Sequence, residues 1–274
     1  AMGLFDDLLK KLVRAQVQVF IISGNHDSPE RLAFAAELIA YSGIHIAPVY
    51  DGTVRPVSVE DAYGPVNIYM LPFIRPAHVR GIFPEEEIGS YTDAVRTAVA
   101  HMEVRETQRN ILLTHQFVTG AARTESEEIV VGGADNVDAS VFGPFDYVAL
   151  GHIHGPQHVG KESIRYCGTP LKYSFSEMRH RKSVTVLELG KKGTLGIRTR
   201  ELTPLHEMRE IKGTYAELTA KENYEGTAVE DHLRVILTDE EDVLDAASKL
   251  RVIYPHLMEL RYDNRRTREG QEIA

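Results

Sequence analysis

Cysteine is almost missing from this 274-residue chain, in which Cys167 stands alone. One cysteine cannot form an internal disulfide, and scarce cysteine is typical of proteins that fold in the reducing cytoplasm. Cys167 lies in an apolar segment, which favours a small core residue. A lone cysteine among several histidines could instead be a protease nucleophile, but the core interpretation is favoured. We therefore expect a cytoplasmic protein without disulfides.

The sequence also lacks a long apolar run and an excess of basic residues. No run approaches the roughly 20 apolar residues that a transmembrane helix needs, so we expect no membrane partner. The formal net charge of −9 argues against broad electrostatic attraction to nucleic acid. Metal ions and local basic loops could still supply a positive field. The local candidates for phosphate contacts are Lys172, Arg179, Arg181 and Lys182, although such a run is also typical of a solvated turn.

The chain is organised around residues 24–27 (GNHD), which follow an apolar run at residues 17–23. That run predicts a strand buried on both faces, because it is β-branched and aromatic without polar alternation. Directly afterwards Ser28 is a predicted helix N-cap. A strand, a glycine turn and a helix start thus enclose Asn25 and His26, where open α/β sheets bind ligands. A capping turn with a solvated histidine is the alternative.

Two later segments favour a shared site. Residues 111–115 (ILLTH) and 146–154 (DYVALGHIH) are short apolar runs that end in histidine. Residues two apart in an extended segment point the same way, so His152 and His154 can approach one centre together. Ligand-type residues that each follow an apolar run indicate a metal or phosphate site that also includes His115.

These motifs carry a family resemblance. Residues 24–32 (GNHDSPERL), 114–117 (THQF) and 166–177 (YCGTPLKYSFSE) resemble the calcineurin-like metallophosphoesterases and, among them, the SbcD family of bacterial nuclease subunits. The resemblance implies an α/β fold: a metallophosphoesterase β-sandwich flanked by helices at residues 1–204, then a small α+β capping domain at residues 205–274. It implies a double-strand exonuclease and single-strand and hairpin endonuclease. Its implied partners are DNA and an SbcC-type, SMC-like ATPase, in DNA repair, recombination and replication.

The resemblance also implies ligands for two divalent metal ions, most simply Mn²⁺. Two such ions activate water and neutralise charge on the phosphoryl oxygens. Mixed imidazole, amide and carboxylate ligands suit Mn, Fe or Zn better than Ca or Mg. Asn25, His115 and His152 would hold one ion, and His154 would contribute to the other.

By the same resemblance, His26 and Asp27 would serve the chemistry itself. His26 would protonate the leaving oxygen or stabilise the pentacoordinate phosphorus. Asp27 would orient His26, since an acidic neighbour holds an imidazole in its useful tautomer.

The sequence departs from the family at its start. The family opens with a strand that ends in Asp-X-His and a later strand that ends in Gly-Asp, and neither block precedes Gly24. We therefore expect a truncated or degenerate form that binds at most one metal ion, lacks nuclease activity and forms a homodimer across the exposed sheet edge. Alternatives are a small-molecule phosphodiesterase or phosphatase of the same superfamily, and a non-catalytic scaffold that binds the ATPase.

Four further predictions concern local structure. An opening helix with an inward apolar stripe is predicted from residues that recur at helical spacing: Leu4, Phe5, Leu8, Leu9, Leu12 and Val13. Residues 72–89 are predicted to form a loop with His78 on the surface. The acidic residues Glu125, Glu127 and Glu128 of the segment 116–138 indicate a solvated loop rather than a metal site. Arg265, Arg266 and Arg268 are predicted to begin a tail.

Overall fold

The computed structural model describes residues 2–33, 36–127 and 135–272, which divide into two compact units. Unit 1 comprises Ala1–Pro170 and Arg181–Glu201, and unit 2 comprises Leu171–His180 and Leu202–Ala274. The sequence places the domain boundary at residue 204, and the structure additionally assigns the segment 171–180 to unit 2. No helix in the described residues is long and apolar enough to cross a membrane.

The helices of unit 1 are α1 (Met2–Arg14), α2 (Pro29–Ala33), α3 (Ala36–Ala40), α4 (Pro76–Ile82) and α5 (Tyr91–Ala100). Its strands are β1 (Val19–Ile22), β2 (Ile44–Ala47), β3 (Val57–Asp61), β4 (Gly64–Leu71), β5 (Arg109–His115), β6 (Phe117–Val118), β7 (Asn136–Val137), β8 (Tyr147–Gly151), β9 (Gln157–Val159), β10 (Lys161–Tyr166), β11 (Ser183–Leu189) and β12 (Leu195–Glu201).

A six-stranded sheet in the order β3-β4-β5-β8-β10-β9 is the centre of unit 1. The four inner strands are parallel, and the edge strands β3 and β9 pair antiparallel to their neighbours. His115, the last residue of β5, is in register with Gly151, the last residue of β8. Because both strands are parallel, their carboxyl ends meet at one edge, which places His115 beside the segment that carries His152.

Both faces of this sheet are covered, since successive side chains of a strand point to opposite sides. Leu112 is fully buried in the large core, which also contains the inward side of α5, for example Val95. Ile111, its neighbour, packs on the other face with side chains of the β11–β12 hairpin, including Leu187. Helices on one face and a hairpin on the other give the α/β architecture expected from the sequence.

Unit 2 is built on a second, three-stranded sheet. Its elements are β13 (Met208–Gly213), α6 (Tyr215–Thr219), α7 (Lys221–Tyr224), β14 (His232–Leu237), α8 (Ala246–Ile253), β15 (Leu257–Tyr262) and α9 (Arg265–Glu272). The strands are parallel in the order β13-β14-β15. Leu233, Val235 and Leu237 of the central strand are fully buried and pack with Leu250 of α8.

The structure corrects two predictions about the first strand and helix. The sequence predicts that the run at residues 17–23 is buried on both faces, but β1 pairs only with β2 in a two-stranded sheet and is half-buried. The opening helix is present as α1, but only part of its apolar stripe is inward. Leu9, Leu12 and Val13 are half-buried, whereas Leu4 and Leu8 are 78% and 50% exposed, because nothing in the described residues covers them.

Two segments predicted to be irregular are helical. Residues 72–89 contain α4, in which Pro76 occupies the start of the helix, where its missing N–H costs nothing. His78 is exposed on this helix, in agreement with its predicted surface position. Residues 265–272 form α9 instead of a tail. Ion pairs hold this helix, with Arg266 2.6 Å from Asp242.

Candidate metal centre

The turn after β1 carries the first candidate ligand, Asn25. The backbone N–H of Gly24 donates to Oδ2 of Asp27 over 2.7 Å, which closes the turn. Ser23, just before it, is buried and donates from Oγ to the carbonyl oxygen of Pro48 over 2.6 Å. Asp27 therefore holds the shape of this turn, in addition to any role that the resemblance implies for it.

Asn25 meets the two histidines that follow β5 and β8. Its Oδ1 lies 2.9 Å from Nε2 of His115 and 3.4 Å from Nδ1 of His152. The two imidazole rings are 5.3 Å apart between centroids. An amide oxygen only accepts hydrogen bonds, so both of these ring nitrogens face it as donors. The structure thus brings together three residues that are distant in sequence.

The remaining ring nitrogen of His152 is the most informative atom of the site. With its proton on Nδ1, neutral His152 has a lone pair on Nε2. That atom is buried and has no hydrogen-bond partner among the described residues. An unpaired buried polar atom costs free energy and calls for an explanation, such as an ion. The backbone of His152 also has φ = 103°, a conformation that is costly outside glycine and concentrates at functional sites.

Burial keeps the two histidines neutral. It lowers the pKa of His115 to about 3, with a smaller contribution from the nearby His152. Burial also lowers the pKa of His152, followed by the positive charge of Arg123. Neutral imidazole is the form that binds a metal ion, so this environment favours a ligand role over a charged one.

Two glycines make room for the ring of His115. A Cβ atom on Gly24 would lie 2.7 Å from Cε1 of His115, and one on Gly151 would lie 2.7 Å from its Nδ1. Real Cβ atoms do not come this close to other heavy atoms, so any larger residue would displace the imidazole. The glycines that precede Asn25 and His152 therefore have a packing role at the site.

Glu127 is the residue that the sequence prediction missed. The sequence predicts that it lies in a solvated loop, but it is buried, and its Oε1 accepts from the backbone N–H of His154 over 2.7 Å. The hydroxyl of Thr124 donates to its other oxygen over 2.9 Å. Glu125 is exposed, as predicted, and Glu128 lies outside the described residues. The prediction is therefore wrong for Glu127, which anchors the loop to the backbone of a candidate ligand.

His154 is also held on its other sides. Oγ of Ser126 lies 3.0 Å from its Nδ1. Nζ of Lys182 donates to the carbonyl oxygen of His154 over 2.9 Å and to Oγ1 of Thr169 over 2.8 Å. Lys182 is only 3% exposed, so it positions this segment and is not the surface contact for phosphate that the sequence suggested.

The other proposed phosphate contacts lie elsewhere. In unit 2, Lys172 forms an ion pair with Glu207. Arg179 of unit 2 and Arg181 of unit 1 are exposed. These two arginines remain candidates for contact with a polyanion, whereas the charge of Lys172 is already partly neutralised.

The candidate metal ligands line a cavity of about 140 Å³. It is lined by Asn25, His26, His115, Glu127, His152 and His154, among others. His26 is exposed at its border. Two neutral imidazoles and an amide oxygen fit a divalent transition metal ion, and the unpaired Nε2 of His152 supports this. The described residues contain no group of three or more His, Cys, Asp or Glu side chains arranged for a metal.

Comparison with known proteins finds relatives of this chain. A family model described as the type 5 capsule protein repressor C-terminal domain, SbcD_C, matches residues 204–274. The SbcD subunit of the SbcCD nuclease of Staphylococcus epidermidis is 28% identical over 264 residues, which is 95% of this chain and 69% of the relative. The equivalent protein from Staphylococcus saprophyticus is 30% identical over 247 residues, or 89% of this chain and 64% of the relative.

The chain is a relative of SbcD. The similarity includes both units, since it spans nearly the whole chain while the C-terminal family match falls within unit 2. This chain covers about two thirds of the length of these SbcD proteins. The candidate metal centre therefore lies in the part that the relatives share.

The role of Glu127 can be tested by stability. Glu127→Ala leaves the N–H of His154 without its acceptor, and an unsatisfied buried group costs about 1–3 kcal/mol. We expect urea denaturation to show a loss of at least this size. Glu125→Ala, two residues away and exposed, is the matched control and should change the free energy of unfolding by less than about 0.5 kcal/mol. Equal effects of the two substitutions would argue against the anchoring role.

Proposed function

We propose that the chain is a metal-dependent DNA nuclease subunit that acts with an SbcC-type, SMC-like ATPase in DNA repair. The observation that carries the proposal is the convergence of Asn25, His115 and His152 in a relative of SbcD, with Oδ1 of Asn25 2.9 Å from Nε2 of His115 and 3.4 Å from Nδ1 of His152. The other ring nitrogen of His152, Nε2, is buried and unpaired among the described residues. A site of neutral imidazoles and an amide oxygen is suited to a divalent ion such as Mn²⁺.

Asn25, His115 and His152 would hold that ion. When bound, such an ion lowers the pKa of water and stabilises negative charge on phosphoryl oxygens. His154, fixed by Ser126 and by the backbone contact to Glu127, would contribute to a second ion.

His26 would protonate the leaving oxygen. It lies at the border of the cavity and is exposed, so its imidazole is accessible to a bound substrate. His26 is also close enough to His115 to affect it, since positive charge on His26 contributes to the lowered pKa of His115. Asp27 closes the turn that carries His26 and thereby fixes where this imidazole can reach.

We further propose that the 274-residue polypeptide by itself binds at most one Mn²⁺ at this centre and does not cleave DNA. The three residues that converge here include no carboxylate that could bridge two ions. Glu127, the carboxylate that lines the cavity, is engaged by the backbone of His154 and by Thr124.

The test compares this chain with a chimera. In the chimera, the N-terminal segment of a staphylococcal SbcD relative, which by the resemblance would supply the Asp-X-His and Gly-Asp blocks, is joined ahead of Val17. We expect the chain to show one Mn²⁺ by elemental analysis at most, and the chimera to gain Mn²⁺-dependent cleavage of linear duplex DNA together with its ATPase. A chimera that hydrolyses a small phosphodiester but no DNA would favour the small-molecule enzyme. A chimera that is folded and binds no Mn²⁺ would favour the non-catalytic scaffold.

We also propose that the chain self-associates through the exposed stripe of α1. Leu4, Phe5 and Leu8 are 78%, 40% and 50% exposed on a single helix, and large apolar surfaces mark interaction sites. A second copy that presents the same stripe would form a two-fold contact.

Leu8→Glu tests this contact. It places a charge on the apolar stripe, so light scattering should show a shift from dimer to monomer. Arg14→Glu is the control, since Arg14 is exposed on the same helix outside the apolar stripe. If both variants scatter as the parent chain does, α1 is not the contact surface.

A further inference from the structure

Three histidines lie at one end of the parallel sheet of unit 2. His206 precedes β13 by two residues, His232 is the first residue of β14, and His256 directly precedes β15. β13 and β14 pair from Met208 and His232 onward, and β15 continues the same parallel register. Because all three strands start at this edge, the sheet itself brings the three imidazoles together, although they are 24 to 50 positions apart in sequence.

The rings form a close triangle. The centroid distances are 6.0 Å between His206 and His232, 5.2 Å between His206 and His256, and 5.2 Å between His232 and His256. A ring nitrogen binds Zn²⁺ at about 2.0–2.1 Å, so two imidazoles at tetrahedral positions have centres about 5 Å apart. The pair His115 and His152 stands at a similar 5.3 Å in the candidate metal centre. The triangle thus has the spacing of three ligands around one ion.

The hydrogen bond of His256 sets its tautomer. Its Nδ1 lies 2.6 Å from the carbonyl oxygen of Glu230. A carbonyl oxygen can only accept, so Nδ1 carries the hydrogen and Nε2 of neutral His256 keeps its lone pair. Histidines that bind metal ions almost always donate their other N–H in this way, which orients the ring.

The frame around the triangle is fixed by hydrogen bonds and ion pairs. The carboxylate of Asp231 accepts from the backbone N–H of Glu207 over 2.9 Å, which ties the start of β13 to that of β14. The same carboxylate binds Nε of Arg209 over 2.5 Å. Glu207 is paired with Lys172. These carboxylates are already engaged, so the imidazoles are the groups left to bind a ligand at this end of the sheet.

We propose that His206, His232 and His256 form a second metal site, for a borderline transition metal ion such as Zn²⁺, with water as a further ligand. An all-imidazole site suits Zn, Ni or Cu and does not suit Mg or Ca. In the described part of the chain, no three such side chains already converge on one point. Binding therefore includes a rotation of the half-buried rings of His206 and His232. Such an ion would join the starts of all three strands of unit 2.

The sequence predicts at most one bound metal ion per chain, and this site would add another. It uses none of the residues of the candidate nuclease centre, so the two proposals stand or fall separately.

The test is a calorimetric titration with Zn²⁺ in a His152→Ala background, which weakens the centre in unit 1. We expect one Zn²⁺ per chain, not displaced by excess Mg²⁺. The affinity for Zn²⁺ should fall by at least about 10–100-fold in each of three variants, His206→Asn, His232→Asn and His256→Asn. A loss of this size is typical of residues that only support a ligand. His78→Asn, which removes an exposed histidine on α4, is the matched control and should leave binding unchanged.

Thermal unfolding provides a second measurement. Zn²⁺ should raise the unfolding midpoint of the background protein, because an ion that binds only the folded state stabilises it. That rise should disappear in each of the three variants, while their midpoints without Zn²⁺ show that they fold. A background protein that binds no Zn²⁺, or folded variants that bind it as tightly as the control does, would overturn the proposal.

Discussion

His152→Ala, introduced into the chimera of this chain with the N-terminal segment of an SbcD relative, is expected to abolish the proposed Mn²⁺-dependent DNA cleavage. It should also weaken Mn²⁺ binding by more than about 10–100-fold, the cost of losing a residue that only supports a ligand. The substitution removes the one buried ring nitrogen of the site that has no partner among the described residues. It also removes one of the two imidazoles that contact the amide oxygen of Asn25, so that His115 alone remains. His115→Ala should behave alike.

The metal-free protein should respond differently. Because Nε2 of His152 makes no hydrogen bond to the described residues, its removal costs little stability. We expect a shift of the thermal midpoint in EDTA of no more than about 2–4 °C, which corresponds to about 1 kcal/mol in a protein of this size. His158→Ala, at an exposed position of β9, is the control for the loss of a histidine. Cleavage that survives in both His152→Ala and His115→Ala would remove the metal interpretation.

The convergence of the candidate ligands was predictable because it depends on strand ends. Short apolar runs that end in histidine predict parallel inner strands, and the carboxyl ends of such strands meet. β5 and β8 are direct neighbours, with His115 opposite Gly151. What the pattern could not provide is the need for Gly24 and Gly151. Their role depends on how close the ring of His115 comes, which is a tertiary property.

The buried carboxylate of Glu127 was not predictable from local pattern. An acidic, glycine-interrupted segment is normally solvated. The burial of Glu127 depends on a hydrogen bond to the backbone of His154, 27 residues further on. Composition alone assigns Glu125 and Glu127 the same environment, and only the tertiary structure separates the exposed residue from the buried one.

The histidines of unit 2 were missed for a related reason. The sequence pattern did not identify β13, and no motif of the sequence links His206, His232 and His256. Only the pairing of β13 with β14 and of β14 with β15 brings the three rings within 6.0 Å of one another. Conversely, the helical spacing of α1 was correctly identified, but spacing does not show which surface will cover an apolar stripe.

His26→Asn in the active chimera is expected to lower turnover by about 10²–10⁴-fold, the contribution typical of a general acid, without loss of bound Mn²⁺. His115 cannot supply the proton, because burial lowers its pKa to about 3 and leaves it neutral near pH 7. His26 borders the same cavity and is exposed, so it is open to a substrate that enters there. Elemental analysis and cleavage rates measured on one preparation distinguish a general acid from a metal ligand, with His158→Asn as the control. A marked fall in bound Mn²⁺ would instead make His26 a ligand.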